Sequence, residues 1–590
     1  MKGRLRVMKK ASALVLAIIM ICSALLLTGC GKSSEDKGAV IQMYLSSFPA
    51  NLDPTAAAYG SADNAKLFGL LYEGLFTIDQ KGKLQKGVAA DYKYYADVRD
   101  DSMKLEIALK NTKWSDGIAV DAEDFVYAWS RILSSEADNP AAPLLYPIKN
   151  ARKVKEGECS INDLGVCAIK DNVLQITFEK DFTNIEYFIR RLASPALVPL
   201  REENAGKFDN DEYSEYSWQT SSTKVIPLTN GAFKYKNITE NEIVLERNLH
   251  YENVSEVKEN PVDKVVKPYQ LVTAYSEGSL ADDQIDRFLS GEIFYINLSE
   301  ASSETLGKAG KTQSTLVPSV YTYFFDTTSR LFSDAKVRQA LSIALDREHI
   351  NSLTGRKTKA AEGIVPFNVE DTVKKTEFRK EAGNMFSPKG DVEKAKELLE
   401  EAGVKGGSFT LEYNKDRAYE AEIAEYAKSV WKDLGFSVTL SGKNSKYFYA
   451  IASEKSAFAT GDAKIIALDF QCLTPDAYSM LVGFSKKYTG GKYDVESGEK
   501  YTKLNITGYD SEEYDVICDA IVYASNIKDR ANAMHEAEKK LIEDSPVIPL
   551  FNNADVYASK ELKNIKTDFF GAKIFTKTKQ NNYRKYLPAE

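Results

Sequence analysis

Two hydrophobic periods alternate along the chain. SFTLEYN (408–414) sets apolar side chains at every second position, the period of a strand. From Arg417 to Leu434, the residues Ile423, Tyr426, Ala427, Val430 and Leu434 recur at three- and four-residue spacing, the period of a helix. Gly435 stops that helix, and FSVTLSG resumes the strand period. Together they predict a β-α-β unit.

Further elements follow by the same logic. A helix begins near Asp334 and gathers Val337, Ala340, Leu341, Ala344 and Leu345 on one face. Another covers DVEKAKELLEEAG (391–403), with Asp391 as its N-cap and Gly403 as its stop. A third covers DRANAMHEAEKKLIED and ends before Pro546 and the strand-like VIPLF. MKLEIALK and NVLQITFEK read as strands. The class is mixed α/β, without an internal repeat.

The N-terminus changes the picture from a fold to a location. MKGRLRVMKK is basic, ASALVLAIIMICSALLL is uncharged and apolar, and small residues follow, which describes a secretory signal. The alternative is an uncleaved N-terminal anchor. Leu27-Thr28-Gly29-Cys30 resembles a bacterial lipobox. That resemblance implies removal of residues 1–29 and a lipid on Cys30. Residues 30–37 then form a lipidated polar tether. No later run is long and apolar enough to span a bilayer.

Roughly 560 residues remain, more than one core supports, so two or three domains are expected. The net charge of −8, with Lys and Glu interspersed, gives no electrostatic footprint for nucleic acid. Cys159 and Cys167 flank a short polar loop, and two readings stand: an extracytoplasmic disulfide or two free buried thiols. Cys472 and Cys518 complete the set beyond Cys30, and zinc spacing is absent. No metal or cofactor is expected.

KWSDGIAVDAEDFVYAW (113–129) crowds Asp116, Asp121, Glu123 and Asp124 between two tryptophans. Asp116-Gly117 has turn chemistry. The other three carboxylates stand at the start of a helix, where they cap free N–H groups and complement the dipole. The alternating ligands and closing Glu of a calcium loop are missing.

The same stretch strongly resembles a segment of the extracellular solute-binding proteins of bacterial peptide importers (family 5). NLDPTAAAY (51–59), LLYEGLFTIDQKGKLQKGVAADY (70–92), NGAFKYKNITENEIVLERNLHY (230–251), DAKVRQALSIALDREHI (334–350) and AEKKLIEDSPVIPLF (537–551) match further family segments in order. The resemblance implies a type II periplasmic-binding-protein fold: two α/β lobes with mixed sheets, a hinge and an extra domain. By resemblance, residues 38–72, 200–318 and 554–590 form lobe I, 73–199 the extra domain and 319–553 lobe II.

It also implies a peptide held extended between the lobes by main-chain hydrogen bonds. An aspartate commonly pairs with the peptide ammonium, and Asp469 matches it, flanked by Leu468 and Phe470; Asp476 is the nearby rival. A carboxylate ending an apolar strand run needs a partner. That partner is either an internal Arg or Lys or the ligand ammonium, with the ligand favoured. Asn297 and Ser299 align with a stretch that bonds peptide backbone, and Tyr59 and Gly60 with a loop lining the cleft. Tyr447 stands where a cleft Trp is common. Gly355 aligns with a residue that holds a peptide carboxylate, and Arg356 is adjacent. Ile465-Ile466 replaces the usual Gly-Trp, and the loop after Asp469 is longer than usual.

Three functions compete. The first is a lipid-anchored, monomeric receptor passing peptides to an ABC permease and ATPase, neither of which this chain contains. The second is the same scaffold holding an oligosaccharide, a metal chelate or a signalling peptide. The third is a secreted hydrolase, for which His250, His349 and His535 offer no recognisable nucleophile–base motif.

Overall fold

The periodic segments form the predicted elements. The β-α-β unit consists of Gly407–Asn414, the helix Ala418–Asp433 and Phe436–Lys443, with the two strands parallel. Gly435 takes φ of +91°, and its N–H bonds the Lys432 carbonyl, closing the helix. Asp334 caps the helix Ala335–Ile343, whose apolar face is buried. Asp391 caps Val392–Glu401 by accepting from the Lys394 N–H. The helix Ile527–Asp544 ends just before Pro546, as read from sequence.

The structure, a computed structural model, describes residues 36–47, 49, 51–57, 62–98, 101–210, 212, 214–220, 223–251, 262–276, 282–371, 376–448, 460–491 and 507–587. Cys30, the signal segment, Tyr59 and Gly60 lie outside them. Among the described residues no helix is long and apolar enough to cross a membrane.

In chain order, β1 (Val40–Ser47) is followed by the hairpin β2 (Phe76–Ile78) and β3 (Leu84–Lys86). Then come β4 (Ala89–Asp97), β5 (Ser102–Leu109), β6 (Val166–Lys170) and β7 (Val173–Thr177), which make a four-stranded sheet. A mixed sheet of eleven strands, β1 among them, is the largest among the described residues. Its other members are β8 (Phe233–Ile238), β9 (Glu242–Arg247), β10 (Gln270–Ser276), β11 (Tyr295–Asn297), β12 (Gln313–Phe325), β13 (Lys359–Ala360), β14 (Gly407–Asn414), β15 (Phe436–Lys443), β16 (Lys464–Gln471) and β17 (Val547–Ser559).

That sheet has two halves joined by its two longest strands. β1 and β8–β11 lie on one side, β13–β16 on the other, and β12 and β17 run through both. Early in β12, Gln313–Leu316 pair with Tyr557–Ala554; later, Val320–Phe324 pair with Asn552–Val547. The register shifts between Leu316 and Val320, around Pro318. Proline has no N–H for the ladder, and its carbonyl accepts from Cys472 N instead. The architecture is the expected two-lobed α/β fold.

The acidic stretch 113–129 is a turn and a helix cap. Asp121 and Asp124 form a reciprocal capping box at Ala122–Ile132, and Trp114 Nε1 donates to Asp124 at 2.9 Å. Asp116 pairs with Arg201 at 2.6 Å. Of the two readings of Cys159 and Cys167, the structure contains the free thiols. Cys167 is exposed on β6, whereas Cys159 is partly buried against the hydrophobic core.

Candidate functional site

A cavity opens where β12 and β17 fall out of register. Val317 and Ser319 line it from one strand, Asn553, Ala554 and Asp555 from the other. Ser299 and Glu300, just after β11, close one side; Arg356, Arg417, Tyr419 and Asp469 come from the opposite half. The enclosed space is about 50 Å³. That holds a few waters and falls short of the roughly 300–1,000 Å³ typical of small-molecule pockets.

Arg417 is the electrostatic centre. It reaches Asp469 at 2.7 Å, Glu420 at 3.2 Å and Glu300 at 3.4 Å. Burial lowers its guanidinium, but its neighbours, Asp469 first, hold it well above the ordinary range. Asn553 Nδ2 donates to the other Asp469 oxygen at 2.8 Å and to Ser319 at 2.9 Å. Glu420 accepts from Tyr321 Oη at 2.8 Å and the Asn414 N–H at 2.9 Å. Burial pushes Glu420 up to about 7.

A second charge cluster reaches the cavity wall through Asp555 and Lys66. Asp555 pairs with Lys573 at 2.5 Å and Lys66 at 3.4 Å, and accepts from Asn297 Nδ2 at 3.1 Å and Ser299 Oγ at 3.4 Å. Burial alone would raise its carboxyl; Lys66, then Lys573, hold it below the ordinary range. Arg356 stacks 4.0 Å from the Tyr419 ring centre and donates to the Ala301 carbonyl at 2.7 Å. It makes no ion pair among the described residues, and burial lowers it.

The sequence-derived residues divide accordingly. Ser299, Asp469 and Arg356 meet at the cavity, and Asn297 stands behind it, holding Asp555. Leu468 and Phe470 point to the other face of β16, where Phe470 packs edge-on to Phe324 and Phe484. Tyr447 gives its hydroxyl hydrogen to Glu412 and is absent from the cavity lining. Of the two partners considered for Asp469, the structure contains the internal one, Arg417. Arg417 is 52 residues away in sequence, beyond the reach of local pattern. The rival Asp476 also has an internal partner, Arg530, at 2.7 Å.

Arg417, Glu300, Lys66 and Asp555 were not singled out from sequence. Two signals were available. Arginine is a poor N-cap, yet Arg417 holds that position and makes no side-chain cap. Asp555, like Asp469, interrupts a strongly apolar strand. The histidines have local roles. His349 packs on Tyr426, and His535 bonds Asp371 against Phe378.

β16 has one further property. It pairs with β14 only over Lys464–Ile466, so from Ala467 to Gln471 that edge has no strand partner among the described residues. An open edge beside a two-sided cavity suits an extended ligand. The sequence model of bacterial extracellular solute-binding proteins, family 5, matches residues 83–492, more than half of the chain. The chain belongs to family 5. Within that family it is 26% identical to the oligopeptide-binding protein OppA of Bacillus subtilis, covering 94% of this chain and 96% of the relative. It is 28% identical to the periplasmic oligopeptide-binding protein OppA of Salmonella typhimurium, over 82% of this chain and 81% of that one. The family 5 fold recurs in the structure of Listeria monocytogenes OppA bound to peptide, with a TM-score of 0.74 and 21% identity, covering 93% of this chain and all of that one.

Proposed function

We propose that this family 5 protein is a receptor on the extracytoplasmic face of the bacterial cell membrane, lipid-anchored through Cys30. It captures oligopeptides between its lobes and delivers them to the permease and ATPase subunits of an ABC importer. The observation that carries this reading is the open edge of β16 at Ala467–Gln471 beside the cavity. A peptide adds there as a strand, bonded through its main chain whatever its side chains are. Given the small enclosed volume, the halves separate to admit it and close around it.

The reading carries a division of the chain into lobe I (38–72, 200–318, 554–590), an extra domain (73–199) and lobe II (319–553). The register shift of β12 at Pro318, opposite Asn553 and Ala554, supports hinge segments at those points. Asp469, Ser299 and Asn297 act at the ligand or directly behind it, and Arg356 is poised for an anionic group. Tyr59, Gly60, Tyr447, Leu468 and Phe470 remain proposals from family resemblance alone.

A second reading, a non-peptide solute on the same scaffold, is favoured by one observation. Asp469 is already engaged by Arg417 and Asn553. Native mass spectrometry of residues 31–590 purified from cells, followed by thermal shift with a peptide mixture, separates the two. Peptide capture predicts co-purified peptides and a higher Tm on re-addition, about 2.7 kcal/mol of stabilisation at a hundredfold excess over Kd. Release of only sugars or chelates, with no peptide raising Tm, refutes it.

A further inference from the structure

We infer that Arg417 is an internal competitor for cationic ligand ends and sets how strongly the cleft selects a free amine. The inference rests on the peptide reading above and adds a selectivity element to it. Arg417 begins the helix Ala418–Asp433, yet its side chain serves no cap and turns into the cavity. There it contacts three carboxylates: Asp469 and Glu420 from its own half, and Glu300 from the other. Both oxygens of Asp469 are engaged, one by Arg417 and one by Asn553.

An amine reaching Asp469 therefore meets a cation already in place. Two positive charges side by side in a partly desolvated cleft repel strongly. The guanidinium has somewhere to go, because Glu420 and Glu300 stay within its reach when it releases Asp469. Its fork of five donors suits such an exchange between carboxylates better than a point-charge ammonium would. The displaced arginine retains Glu300 across the cleft, so amine binding leaves the contact between halves intact. Ligands without an amine leave the Arg417–Asp469 pair undisturbed and gain nothing from Asp469. Arg417 therefore sets the margin between the two classes.

The test compares tetra-alanine with N-acetyl-tetra-alanine by calorimetry on the full mature protein. The measured quantity is the Kd of the acetylated form divided by that of the free amine. In Arg417→Gln this ratio rises at least fivefold, with the change mainly in the free-amine Kd. Arg417→Lys keeps the charge but exchanges between carboxylates less readily, so the ratio stays at or below the wild-type value; a rise like that of Arg417→Gln overturns the inference. A role limited to folding would weaken both ligands alike in Arg417→Gln, and an unchanged or lower ratio overturns the inference. Should Arg417→Gln not fold, Glu300→Gln decides. It confines the guanidinium to its own half and lowers the ratio at least twofold, and an unchanged ratio overturns the inference. If wild-type protein binds neither form, the peptide reading falls and this inference with it; binding with no response to the variants removes the inference alone.

Discussion

Asp555 has the least freedom to change of the buried charges at the cleft. Its carboxylate pairs with both Lys66 and Lys573, all three of them buried. Asp555→Ala leaves two buried ammonium groups facing a lost counter-ion. It destabilises the protein by roughly 3–5 kcal/mol, the cost of breaking a buried pair, measured by urea unfolding at neutral pH. Asp124 predicts a pH dependence of opposite origin. Burial raises its carboxyl from 3.8 to about 7, so folding takes up a proton between those values. Its contribution is fully present below about pH 4 and is lost as pH rises through 7. Asp124→Asn removes this dependence. Relative to that variant, wild-type protein is less stable at pH 8 than at pH 4.5, as compared by urea midpoints.

Helices and strands were legible wherever a single face decided them. The β-α-β unit is an example, because Ile423 and Ala427 are both buried and Gly435 ends the helix where expected. Gly435 has two reasons to be glycine: its φ is positive, and a Cβ there would lie 2.5 Å from the Lys405 carbonyl oxygen. Gly435→Ala costs at least roughly 1–2 kcal/mol, visible as a lower unfolding midpoint without loss of helical circular dichroism. The β12–β17 crossing was not legible. Pro318 marks a break in a strand, but only the pairing partner shows that a cavity opens there.

Segments far apart in the chain, 143–191 and 478–530, are joined by a contact that neither announces. Tyr478 lies between Arg191, 3.5 Å from its ring centre, and Arg530, and its hydroxyl donates to the Pro143 carbonyl at 3.0 Å. Arg530 also stacks 4.1 Å from Tyr187. One hydrophobic cluster includes Leu105 and Ile107 of β5 as well as Tyr478, Met480 and Leu481. Residues 89–177 therefore do not melt separately, and scanning calorimetry shows one transition for them and for the segment around Tyr478. Tyr478→Ala removes a buried aromatic ring, lowers stability by roughly 3–5 kcal/mol and brings that shared transition to lower temperature.

The sequence by itself determined the α/β class, the order and ends of its periodic helices and strands, and the family. These depend on local spacing, caps and short segments, which sit within a few residues of one another. It also identified Asp469 as a carboxylate in need of a partner, because an apolar strand makes an unpaired charge costly. Only the tertiary structure brought Arg417 and Asn553 to it. Arg417, Asn553 and Glu300 reach the cavity from different elements, and pairing between charges so distant in sequence depends on how the two halves of the sheet are joined.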